Sequence, residues 1–216
     1  MKSGDLIKKT RDMAQKTTAD VLKRCQETLS TARFGLEDIK RTPERRLAGL
    51  RNLMVFGRAV TNIFQNLRSI ESNFDDWYTP LRKEIERDPL MRYFYTLRSE
   101  ILKQGSLSVG TYAYIRSFQY PQDLKKLGPP PPNAKSFFIG DQLGGSGWEV
   151  VVENGSVEKY YVDLPGDIGQ AGLHLPEAPE EHLGQKLKNK DVGYLGELYL
   201  RYLEKLIQNA KQVFLK

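Results

Sequence analysis

The chain has a single cysteine, Cys25, among its 216 residues. One thiol can make neither an internal bridge nor a thiolate-rich zinc site, so a disulfide framework and a zinc ribbon are both excluded. No apolar run approaches the roughly 18 residues that a membrane-spanning helix requires. The opening MKSGDLIKKTRDMAQ is basic but lacks an apolar stretch, so no secretory leader is expected and the expected location is cytoplasmic. Histidine is scarce too. His174 and His182 stand eight residues apart in a proline-bearing stretch, a poor spacing for a metal site even with Glu180 or Glu181 added, and no metal or other cofactor is expected. Nucleotide-binding fingerprints are missing. GDQLGGSG (140–147) precedes a predicted strand where a dinucleotide site would need a helix, so its glycines read as turn residues. No Gly-x-Ser-x-Gly elbow occurs in a strand–turn–helix setting.

What is present suffices for a folded core: 39% of residues are hydrophobic and 28% charged. The net charge of +6 is concentrated at the front, where residues 1–46 carry 12 Lys/Arg against 7 Asp/Glu. That excess would favour a polyanion such as RNA or DNA. Acids punctuate it, however, so a solvated helix face explains it more simply.

Local patterning predicts helices first and strands later. Residues 4–33 read as a helix from a Gly4-Asp5 cap, with apolar positions at Ile7, Met13, Ala14, Val21, Cys25, Leu29 and Ala32. That stripe is small and diluted by threonine, which suggests an arm lying across the domain or across a second subunit. Thr42-Pro43 opens a stronger helix reaching about Ser72, with Leu47, Leu50, Met54, Val60, Phe64 and Leu67 on one face and Phe56 and Ile63 widening it. Asn73-Phe74 begins a shorter helix containing Pro80, and Asp88-Pro89 caps another in which Leu90, Phe94, Leu97 and Ile101 share a face. Gly105 ends it. Residues 108–121 and 136–140 read as strands, Pro129 to Pro132 as a stiff linker, and 148–153 with 157–164 as a hairpin about Asn154-Gly155. Residues 165–190 read as loop, and 192–214 as a helix presenting Leu195, Leu198, Tyr202, Leu206 and Ile207. The expected fold is therefore α+β: a helical bundle over 1–105, strands with a proline-rich linker and hairpin over 106–190, and a closing helix over 191–216 that packs on the bundle.

Three features invite chemistry. Cys25 sits in a helix with no histidine nearby, which fits a buried neutral thiol better than a nucleophile. Asp75-Asp76 stand at a helix start, where acids suit the dipole. Trp77, Tyr78, Tyr93, Phe94 and Tyr95 lie among Arg82, Arg92 and Arg98, an arrangement suited to stacking on nucleobases, although aromatics at helical spacing more often fill a core.

The stretch FDDWYTPLRKEIERDPLMRYFYTLRSEILKQG (74–105) resembles the second half of the HEPN superfamily of helical domains, the resemblance covering about Leu47 to Gly105. Members carry an Arg, usually followed by Asn, with His a few residues beyond. Many are metal-independent ribonucleases that act as dimers, and others bind without cleaving. Leu97-Arg98 matches this pattern; Ser99 stands in place of Asn and Lys103 in place of His. Lysine stays charged up to a pKa of about 10.4, whereas histidine exchanges protons near neutrality, so acid–base cleavage through Lys103 would be impaired. Arg98 and Lys103 also lie about 140° apart around a regular helix. Pairing of Arg98 with Glu100 or Asp88 is a purely structural alternative. The resemblance therefore implies a non-catalytic binding or accessory protein, with RNA or a protein as partner and homodimerisation through the helical face. Arg92, Arg98, Ser99 and Lys103 are its candidate phosphate contacts, and no residue is assigned as catalytic. The alternatives are a ribonuclease using Arg98 and Lys103, a hydrolase built around Asp141, Trp148 and the two histidines, and an interaction protein using the polyproline arm and hairpin.

Overall fold

The computed structural model describes residues 17–215 and has the expected α+β organisation. Helix α1 (Thr18–Arg41) begins with a reciprocal capping box: the Thr17 hydroxyl accepts from the Asp20 amide, and the Asp20 carboxylate accepts from the Thr17 amide. The expected start at Gly4 lies outside the described residues. After a 3-10 turn at Pro43–Arg45 come α2 (Arg46–Phe64), a second 3-10 segment (Gln65–Ser69), α3 (Phe74–Arg87) and α4 (Pro89–Gln104). Strand β1 (Gly110–Ile115) is followed by a short helix, α5 (Gln122–Lys126). Strands β2 (Ala134–Ile139), β3 (Ser146–Val151), β4 (Val157–Val162), β5 (Gly169–His174), β6 (Glu181–His182) and β7 (Gln185–Lys186) lead to α6 (Val192–Phe214).

Helix α1 is a core element rather than an arm across the surface. Val21, Leu22, Cys25, Ala32 and Leu36 are all at most 2% exposed. It also runs eight residues past Arg33, the expected end of the helix. Gly35 and Gly49 face each other at the α1–α2 crossing: a Cβ on Gly35 would meet the Gly49 carbonyl oxygen at 2.5 Å, and one on Gly49 would strike the Gly35 carbonyl. Small residues let the two backbones touch, so a thin apolar stripe buries completely. Along α2, Leu50, Leu53, Met54, Val60 and Phe64 face inward, whereas Leu47 in the first turn and Phe56, about 200° round from Met54, remain exposed. Helix α6 packs on α1 and α2, and α4 packs on α2 and α3. Pro80 is accommodated inside α3, and the Asp88 cap and the left-handed Gly105 terminus bound α4 as anticipated.

The sheets are small and antiparallel: a β2–β3–β4 meander, a β1–β5 ribbon and the two-residue β6–β7 hairpin. Gly155 (φ +81°) turns the β3–β4 hairpin. Strand β5 corrects the reading of 165–190 as loop. Its sequence, GQAGLH, has little intrinsic strand preference, and its pairing with β1, from Gly110 opposite His174 to Ile115 opposite Gly169, imposes the conformation. The glycines are needed there, since a Cβ on Gly172 would press on the Tyr112 ring at 3.0 Å. Leu173, Leu175, Ala178 and Leu187 join the helical core, so the strand-bearing segment and the bundle share one apolar interior.

Candidate functional site

Four helices enclose a groove of about 530 Å³. Helix α2 contributes Arg58, Thr61, Asn62 and, just past its end, Gln65; α3 contributes Tyr78, Arg82, Ile85 and Glu86; α4 contributes Met91, Arg92 and Tyr95; and α6 contributes Tyr199. The volume falls within the range of small-ligand sites. Its charge is positive. Glu86 is the single acid in the lining, and it is already engaged by Arg82 (Nε to Oε1, 2.7 Å). Arg58 and Arg92 have no carboxylate within ion-pair distance among the described residues. The Arg58 guanidinium donates to the buried Thr61 hydroxyl and lies 5.2 Å from the centroid of the Tyr95 ring. Tyr95 itself is 53% exposed, so part of its surface is available to a ligand. Tyr199 is buried, with its ring against Phe94 (centroids 4.7 Å apart). Burial pushes its hydroxyl pKa well up, and the positive charges of Arg58 and Arg98 only partly oppose this.

The aromatic concentration seen in the sequence therefore divides. Tyr78 and Phe94 are core, Trp77 packs on Phe74 and Phe214 while its indole N–H donates to Asn209 (2.7 Å), and Tyr95 alone among them stands well exposed. Of the four candidate phosphate contacts, Arg92 lines the groove; Arg98, Ser99 and Lys103 do not. Arg98 is half-buried and makes no ion pair with Glu100 or Asp88 among the described residues, and its Nε is buried without an acceptor. The Ser99 hydroxyl donates back to the Tyr95 carbonyl (3.0 Å), and Lys103 is exposed near the end of α4. Arg58 and Tyr199 were missed by sequence reasoning. Arg58 lies outside the motif that drew attention to α4, and Tyr199 comes from a helix a hundred residues later. Only the cation alternating with apolar residues on α2 hinted at the former.

The α4 wall of the groove is fixed by a buried polar clamp. The Asp88 carboxylate, 5% exposed, accepts from the Met91 amide (2.8 Å), from the Leu183 amide (2.6 Å) and from Nδ1 of His182 (2.9 Å). Burial alone would raise the Asp88 pKa; the bonds from His182, Leu183 and Met91 outweigh it and hold the carboxyl below its ordinary value. His182 thus serves as the partner of a helix cap. A second carboxylate, Asp141, is just as fully engaged, by the amides of Leu143 and Gly145, the Lys159 ammonium and the Tyr161 hydroxyl. Burial opposes these bonds, yet together they bring its pKa down to about 2. Its bonds brace the 140–147 turn. Cys25 is buried, and desolvation pushes its thiol up to about 12. Among the described residues no cluster of three or more His, Cys, Asp or Glu side chains is arranged to hold a metal, and no helix is long and apolar enough to cross a membrane.

Residues 40–119 match the family model of bacteriophage lambda protein ea47. The match covers well under half of the chain, from the end of α1 through α2, α3, α4 and β1. It includes Arg58, Arg82, Arg92 and Tyr95, and excludes Tyr199 and His182. No curated protein and no solved structure matches the chain.

Proposed function

We propose that the chain is a non-catalytic, cytoplasmic binding module whose groove holds single-stranded RNA. The carrying observation is that Arg58 and Arg92 face a nucleotide-sized groove without carboxylate partners, beside the half-exposed ring of Tyr95. Phosphates would neutralise the guanidiniums, and a base would stack on the tyrosine, a contact typically worth about 1–3 kcal/mol. The single cysteine, buried and held as a neutral thiol, suits a reducing compartment. The homodimer belongs to the same proposal and rests on the resemblance of 74–105 to the HEPN superfamily.

Fluorescence anisotropy with a labelled single-stranded RNA over a salt series tests the reading. Two phosphate contacts give a slope of log affinity against log salt of about −1.4, and Arg92→Ala reduces it by about 0.7. Binding that is independent of salt, or unchanged by Arg92→Ala, refutes the site. The same RNA incubated with the protein in EDTA should stay intact. Cleavage that Arg98→Ala abolishes would overturn the non-catalytic reading in favour of a ribonuclease using Arg98 and Lys103.

A further inference from the structure

A second cleft, about 280 Å³, lies where the helical body meets both larger sheets. Lys40 and Arg41 from the end of α1 and Arg46 from the start of α2 form one side. The Gly144–Gly145 turn and Ser146 form another, and Asp163 with Gln170 complete the rim. Arg46 is the central observation. Its Nε donates to the Ile39 carbonyl (2.9 Å) and its Nη1 to the Leu143 carbonyl (3.0 Å), tying α1 to the glycine turn. Nη2 has no acceptor, and no carboxylate lies within ion-pair distance of the guanidinium, among the described residues. Burial lowers the pKa of this arginine despite Asp141, Asp191 and Asp163 nearby, so its charge is not fully compensated by the protein. The neighbouring acids are committed elsewhere: Asp141 to the turn, Lys159 and Tyr161, and Asp191 to Tyr112 and the cap of α6. Lys40 is neutralised by Glu197 (2.8 Å), which leaves Arg41 and Arg46 as the available cations facing Asp163 alone. Ser146 is 4% exposed; its Oγ accepts from the Gly140 amide and keeps its own proton to donate.

We propose that this cleft binds the phosphate group of a small phosphorylated compound, with Arg46 Nη2, the Arg41 guanidinium and the Ser146 hydroxyl as donors. The volume, about half that of the groove, suits a phosphate bearing a few carbons rather than a nucleic-acid strand. The site is independent of the RNA reading.

Amide NMR on the full chain tests it, using inorganic phosphate and glycerol phosphate in separate titrations against sodium chloride at equal ionic strength. Saturable shifts at Gly144, Gly145 and Ser146 are expected with both probes, tighter with the ester. Arg41→Glu, at an exposed position, should weaken both by at least about tenfold through loss of a charge-assisted contact. Arg46→Lys should abolish binding if it folds; Arg41→Glu carries the test if it does not. Arg92→Glu leaves these shifts in place, so the two sites fail separately. Equal shifts in chloride, shifts confined to the groove, or unchanged binding in Arg41→Glu would overturn the proposal.

Discussion

Replacing Asp88 by alanine removes three hydrogen bonds at one buried point. The Met91 amide loses its cap, which typically costs about 1 kcal/mol. The Leu183 amide and His182 Nδ1 are left beside an apolar methyl, and each stranded donor costs about 1–3 kcal/mol. Because His182 is only 7% exposed, water can replace little of what is lost. The expected destabilisation is therefore about 3–7 kcal/mol, a large fraction of the 5–15 kcal/mol typical of a domain. Asp88→Asn keeps one acceptor oxygen for the cap and should cost roughly half as much. Urea unfolding followed by the fluorescence of Trp77 and Trp148 measures both variants. The native carboxyl titrates below its unfolded value of 3.8, so its contribution is fully present above that pH and is lost as the pH falls through the native pKa. Asp88→Ala should therefore show a flatter loss of stability in acid than the parent chain. An unfolding free energy of Asp88→Ala within about 0.5 kcal/mol of the parent would refute the clamp, since that is the scatter of surface substitutions.

Two further outcomes follow from the packing. Gly49→Ala gains about 1 kcal/mol of helix propensity but drives a methyl into the Gly35 carbonyl and to 2.9 Å from Asp38 Cβ. Overpacking, typically about 1–3 kcal/mol, should win, giving a net loss of up to about 2 kcal/mol in the same urea assay, and a stabilised variant would refute the tight crossing. Cys25 should resist alkylation at pH 8 in the native protein and react once urea unfolds it, since its thiol is both buried and pushed up to about 12; labelling of the native chain at a free-thiol rate would contradict its burial.

Much of this fold was legible because its signals are local. Asp88-Pro89 and Gly105 bound α4 by capping chemistry that needs no partner. Asn154-Gly155 likewise turned its hairpin by itself, and α6 carried a stripe strong enough to declare its buried face. The parts that escaped depend on neighbours. The first helix was expected to stop at Arg33, just short of Gly35, because the use of that glycine, letting α2 touch α1, shows only when Gly49 lies opposite it. Strand β5 could not be read from GQAGLH because β1 supplies its conformation. The candidate site was legible in the same proportion. Arg92 was found among the arginines interleaved with the aromatics of α3 and α4, whereas Arg58 was hidden in a core helix and Tyr199 lay far away along the chain.

The chain therefore separates what could touch a ligand from what shapes the place where it would sit. Every cation of the groove, together with Tyr95, falls within residues 40–119, the segment that matches the ea47 family model. Part of the shape comes from outside it. Tyr199 closes the groove from α6, and Gly57 lacks a side chain because the Tyr199 ring lies against it, its Cζ only 3.1 Å from where a Cβ would be. His182 and Leu183 hold the first turn of α4, and with it Met91 and Arg92, through Asp88. Pre-organisation governs how much of a guanidinium–phosphate contact survives as affinity, because a side chain on an unanchored helix must be ordered when the ligand binds. Arg92 on an α4 free to shift would still attract a polyanion but would hold it with less geometric definition. Under the proposed RNA-binding reading, the β6–β7 hairpin and α6 would supply the rigidity that makes this basic surface a site.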